Sequence, residues 1–175
     1  MSNAVFNRDA NRVPITLPGM MVTKSLSLTA SNTTVNPPIF TITGTVMVVS
    51  LYGIVTTAVG VNNTAASFRI NDQTAQVYLT AVGGTTLSAA PAGSIIMKTA
   101  LVATALTLKS SAAGAILEAG AANEYEFSPI IIVDKVNALT QIEFKYTTTD
   151  TPTTGVIKFY CGFIPMSDDG DVTAV

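Results

Sequence analysis

The 175 residues contain no histidine and one cysteine, Cys161. Histidine titrates nearest neutral pH and is the commonest general base and catalytic metal ligand. Without it, carboxylates, one thiol and hydroxyls are the groups left to do chemistry. Glu124 and Glu126 in NEYEF stand two apart, so a strand would set both on one face, as in a glycosidase pair. The same spacing describes a solvated edge turned away from Tyr125 and Phe127, and this is the reading adopted. SDDGD, residues 167–171, gathers oxygen ligands around a glycine, but lacks the further ligands and closing glutamate of an EF-hand loop. It reads as an acidic terminus that ends a strand. Cys161 sits within the apolar run VIKFYCGFI, where a thiol behaves as a small hydrophobe, and it has no histidine to activate it. Being alone, it forms no intrachain disulfide. AVGGTT, residues 81–86, has a glycine pair but no lysine after it, as a phosphate-binding loop requires. NTT at 32–34 and NNT at 62–64 match glycosylation acceptors and read as turn chemistry. The expectation is a protein that is not an enzyme, with no catalytic residue, no cofactor and no metal.

Composition points to contacts instead. Charged residues make up 11% of the chain, where a soluble domain averages about 25%. Apolar residues make up 48%, so the surface must be covered mainly by Thr, Ser, Asn and small side chains. Such a surface keeps copies apart poorly, which implies that partner subunits occupy much of it. The basic residues Arg8, Arg12, Lys24, Arg69, Lys98, Lys109, Lys135, Lys145 and Lys158 are scattered, and the net charge is −2. That is not the clustered stripe that binds phosphates, so no nucleic acid is expected. Residues 1–12 are polar, without the apolar core of a signal peptide. The longest apolar stretch, Thr45–Val59, is broken by Ser50, Thr56 and Thr57 and reads as buried strand, so no membrane partner is expected.

The elements that would carry these residues are strands. Residues 1–24 read as an extended arm: Pro14 and Pro18 lock φ and remove donors. The arm is too apolar for a solvated tail, and Phe6, Val13, Ile15 and Leu17 are its expected partner contacts. Residues 25–175 read as one domain. Phe68 and Ile70 oppose Arg69, and Val77 and Leu79 oppose Gln76 and Tyr78. Ile142, Phe144 and Tyr146 point inward, Gln141, Glu143 and Lys145 outward. Residues 45–60 are apolar on both sides, as in a central strand, and Gly53 within them suggests a bulge or bend. Residues 100–108 fit either strand or helix. Eight or nine strands at roughly ten-residue spacing imply an all-β antiparallel sandwich or jelly roll.

Two segments carry a resemblance. TTGVIKFYCGFIPMSDDGDV, residues 153–172, resembles the ending of small β-rich virion proteins of tailed bacteriophages. There a Gly-x-Ile/Val-x-Phe-Tyr-Cys strand runs to an aromatic, a proline and a Ser-x-Asp-Gly end. The matching residues are Gly155, Ile157, Phe159, Tyr160, Cys161, Pro165, Ser167, Asp169 and Gly170. Residues 37–57 are similar to the same group's F-x-(V/I)-T-G-x-V strand pair through Phe40, Thr43, Gly44 and Val46. The resemblance implies a structural virion protein: a capsid decoration, or cement, protein made in the host cytoplasm. As a homotrimeric β-sandwich it would stand on the outer capsid surface, bound to the major capsid protein. A head-fibre base, tail or connector component is an alternative in the same class, and a glycan-binding attachment module is one from another. On the 156–164 strand, Ile157, Phe159, Cys161 and Phe163 are expected in the core, and Lys158, Tyr160 and Ile164 toward a partner.

Overall fold

β-Branched and aromatic residues alternating with hydroxyl side chains suit a pleated, half-buried surface, and the chain realises them as strands. A computed structural model describes residues 20–29, 32–61, 63–82, 85–98, 104–110, 127, 129–149 and 154–175. Its strands are β1 (Met20–Ser27), β2 (Thr34–Val35), β3 (Pro38–Thr43), β4 (Thr45–Thr57), β5 (Asn63–Asn71), β6 (Gln76–Tyr78), β7 (Ile95–Met97), β8 (Thr107–Lys109), β9 (Ile130–Val133), β10 (Thr140–Thr148), β11 (Val156–Pro165) and β12 (Asp171–Ala174). There is no helix among the described residues. The first sheet runs β1-β11-β4-β7-β8, with β9 also on β4; the second runs β12-β3-β10-β5-β6, with β2 also on β10. The fold is an all-β antiparallel sandwich. It has more strands than the sequence spacing suggested, in part because β2 and β8 are only 2 and 3 residues long, too short to show a period.

The two sheets meet through the alternate residues of their longest strands. Phe68 and Phe144 from the second sheet pack on Phe159 from the first, with ring centroids 5.9 and 4.8 Å away. Ile157, Phe159, Cys161 and Phe163 are all buried, as are Ile142, Phe144 and Tyr146. β4 is buried at Val46 and Val48, then at Leu51 and Val55. The change from even to odd positions comes from a register shift: Phe163 lies opposite Val48 but Gly162 opposite Ser50, so Val49 has no counterpart. A bulge moves every following side chain to the other face, and this is one reason β4 looks apolar on both sides.

Three expectations change. Gly53 is not the bulge. It stays in register with Phe159 and Ile96, and a second shift falls at Thr56. Its missing side chain is the space that Ile157 and Phe159 fill: a Cβ there would lie 2.8 Å from Ile157 Cγ2 and 3.0 Å from the Phe159 ring. β1 begins at Met20 and pairs with β11 along its whole length, so residues 20–24 belong to the sandwich rather than the arm. SDDGD does end a strand, β11, but it is not a terminus. It is a tight turn, after which β12 pairs with β3. Of residues 100–108, Thr107 and Leu108 are strand, within β8, and 100–103 lie outside the described residues.

That turn is half of a double corner. β3 passes to β4, and β11 to β12, by crossing from one sheet to the other side by side. Ser167 Oγ accepts from Thr45 N (2.8 Å) and donates to Asp169 Oδ1 (2.7 Å). Thr45 O accepts from Met166 N (2.8 Å). Gly44 sits in the left-handed region, φ 62°, and a Cβ on it would lie 2.4 Å from Asp169 Oδ1. The glycine thus meets both a conformational and a steric demand. Gly44→Ala is expected to cost about 2–4 kcal/mol, read as a lower urea midpoint with an unchanged slope. Asp168→Ala, exposed in the same turn, should stay within about 0.5 kcal/mol.

Candidate interaction surface

An antiparallel sheet usually packs one face and solvates the other. The two outer faces of this sandwich differ. Directly opposed residues share a face, so the register defines each one. On the second sheet, one outer row reads Pro38, Glu143, Arg69, Tyr78 and the next Thr41, Gln141, Asn71, Gln76. Glu143 Oε2 accepts from Arg69 Nε at 2.5 Å, and its Oε1 from Asn71 Nδ2 at 2.8 Å. Arg69 Nη1 donates to Gln76 Oε1 at 2.7 Å. Lys145 Nζ donates to the Tyr78 hydroxyl at 3.1 Å and stands 5.2 Å from that ring's centre. The hydrogen bond from the Lys145 ammonium holds the Tyr78 phenol below its usual pKa. Although they face outward, Arg69 and Glu143 are only 6% and 5% exposed, covered by this mesh of neighbours.

On the first sheet the outer rows mix apolar side chains with a few hydroxyls and two lysines. Ile131, Met47 and Ile164 form one. Ser50, Gly162 and Met21 form the next. Met97, Tyr52, Tyr160 and Thr23 follow, and beyond them Lys109, Ile95, Ile54, Lys158 and Ser25. The rings of Tyr52 and Tyr160 stack with centroids 4.8 Å apart and planes 7° from parallel. Lys158 Nζ lies 5.4 Å from the Tyr160 ring centre. The charged side chains on these rows are Lys158 and Lys109. Ile131 and its strand neighbour Val133 are 61% and 64% exposed, and Met21 is 53% exposed. These apolar side chains left in water stand on β9 at one side of the face and on β1 at the other, with half-buried Met47 and Ile164 between them, and exposed apolar groups of this size mark a contact surface.

Of the residues singled out from sequence, Lys158, Tyr160 and Ile164 do lie on this outer face. Phe6, Val13, Ile15 and Leu17 lie outside the described residues, as do Glu124 and Glu126. Reading the chain alone missed both the Arg69–Glu143 pair and the Ile131–Met47–Ile164 row. The outward positions of Arg69, Glu143 and Tyr160 were visible in the alternation, but which strands lie side by side was not.

Among the described carboxylates, Glu143 is engaged at both oxygens, and Asp169 holds the corner. Burial pushes the Cys161 thiol up to about 12, so it stays protonated at neutral pH. Among the described residues no three His, Cys, Asp or Glu side chains gather to hold a metal. No family model, no curated protein and no solved structure matches the chain.

Two outcomes follow from this geometry. Glu143→Ala strands a buried guanidinium and should cost about 3–5 kcal/mol in urea unfolding, whereas the double change Arg69→Met, Glu143→Leu should recover most of that loss. Ellman's reagent at pH 8 should label Cys161 only when denaturant unfolds the domain, because the thiol is both buried and protonated.

Proposed function

We propose that this chain is an adhesive structural protein of a tailed-phage particle, a decoration protein that binds across copies of the major capsid protein on the outer capsid surface. The observation that carries the reading is the apolar row Ile131, Met47 and Ile164 on the outer face of the first sheet, where solvated side chains would be expected. The scarcity of charge and the sandwich fold support it, and so does the convergence of the two resembling segments: Gly44 from one and Ser167, Asp169 and Gly170 from the other build a single corner. The mechanism is mass action. A ligand that binds only the assembled lattice stabilises it by an amount set by its concentration over Kd. Several weak contacts on one body multiply through effective concentration, with the arm residues Phe6, Val13, Ile15 and Leu17 supplying further ones. A glycan-binding module needs polar groups free to meet a sugar, and those on the second sheet are engaged with one another.

Cosedimentation with heads that lack the protein tests this. Ile131→Glu puts a carboxylate into the apolar row and should weaken binding by about tenfold or more, with the circular dichroism spectrum unchanged. Deleting residues 2–19 should leave β1 and the sandwich intact while reducing binding further. Unchanged affinity in both variants would refute the adhesive reading.

A further inference from the structure

The open edges of the two sheets are unequal. β6 and β8 have 3 residues each, and β9 and β12 have 4. Short edges are one way proteins discourage strand addition. β1 has 8 residues, pairs with β11 at every one of them without a register shift, and contains no proline. Among the described residues it has no second partner strand. Its one charge, Lys24, lies on the core-facing side with Phe159, a placement that usually repels an added strand. Here the ammonium donates to the Val175 carbonyl at the adjoining chain end, so it is held within the molecule.

We propose that β1 pairs antiparallel with β1 of a second copy across a twofold axis, joining two first sheets into one continuous sheet. A twofold axis normal to a sheet must fall on a residue, so that each side chain meets one on its own face. The centres that keep most of Met20–Ser27 paired are Thr23 and Lys24. Centring on Lys24 opposes two ammonium groups, which is destabilising. Centring on Thr23 sets Thr23 against Thr23, Met21 against Ser25 and Met20 against Leu26, and Val22 faces Lys24. The Met97–Tyr52–Tyr160–Thr23 row then continues into the same row of the second copy. The sequence of residues 1–19 disfavours a tight hairpin onto this edge. Pro14 and Pro18 lack the N–H that a ladder needs, and an L-Pro-Gly step at 18–19 favours a type I or II turn, whose twist splays a two-residue hairpin. This pairing does not rest on the phage reading, and it closes at two copies, unlike the trimer that the resemblance implies.

Sedimentation velocity on the full chain should show a dimer. Thr23→Lys, an exposed side-chain change, should raise the dimer dissociation constant by about tenfold or more without altering the thermal midpoint of the monomer. Thr23→Cys should be joined into a covalent dimer by a short bis-maleimide cross-linker, since directly opposed Cβ atoms lie within about 5.5 Å of each other; Ser27→Cys should not. Deleting residues 2–18 should leave the dimer in place. A monomer at all concentrations, a trimer, a Thr23→Cys variant that does not cross-link, or a dimer lost with residues 2–18 would overturn the proposal.

Discussion

The double corner at Gly44 and Ser167–Gly170 is the constraint on which the rest of the sandwich depends. Two ribbons, β3–β4 and β11–β12, leave one sheet and enter the other at the same point. Their backbones are bound together there through Thr45, Met166 and Ser167, and the β9–β10 connection is tied in where Asp134 N donates to Gly44 O at 2.7 Å. Because both ribbons turn together, the β4–β11 register in one sheet and the β3–β12 register in the other are set by a single piece of geometry. The aromatic contacts among Phe68, Phe144 and Phe159 depend in addition on the β10–β3 and β10–β5 registers.

Once the layers are fixed, the few charges can be placed. Arg69, Glu143 and Lys145 lie on the outer face of the second sheet, in contact with Asn71, Gln76 and Tyr78. The first sheet has an outer face on which Ile, Met and Tyr are interspersed with Ser25, Ser50, Thr23, Lys109 and Lys158. The two faces differ in kind: the second sheet carries a mesh of hydrogen-bonded polar side chains, and the first carries apolar side chains with scattered hydroxyls and two lysines. The buried Arg69–Glu143 pair is held by hydrogen bonds to both partners, which is the condition under which two desolvated charges are tolerated. It gives the second sheet a fixed polar surface, while the first sheet keeps an apolar row, Ile131–Met47–Ile164, suited to contact.

The small residues divide along the same lines. Gly44 supplies a positive φ at the corner, and Gly53 supplies space beneath the Phe159 ring. Both look alike in sequence, as glycines in or beside apolar β runs. One answers a demand of the backbone, the other a demand of a side chain from a strand about a hundred residues away.

Alternation by itself determined that this is an all-β protein. It also determined which side of β5, β10 and β11 faces the core, because successive side chains on a strand point to opposite faces wherever the chain folds. The absence of histidine and the sparse charges were likewise complete in the sequence. Tertiary structure decided what depends on non-local neighbours. These are the bulge at Val49 that changes the phase of β4, the role of Gly53, the entry of β12 into the second sheet, and the pairing of Arg69 with Glu143 across 74 positions of sequence separation. The Ile131–Met47–Ile164 row belongs to the same group, since its members come from β9, β4 and β11. Local periodicity says which face a residue is on, but strand order and register arise only when distant segments hydrogen-bond, and a surface built across strands exists only after they have done so.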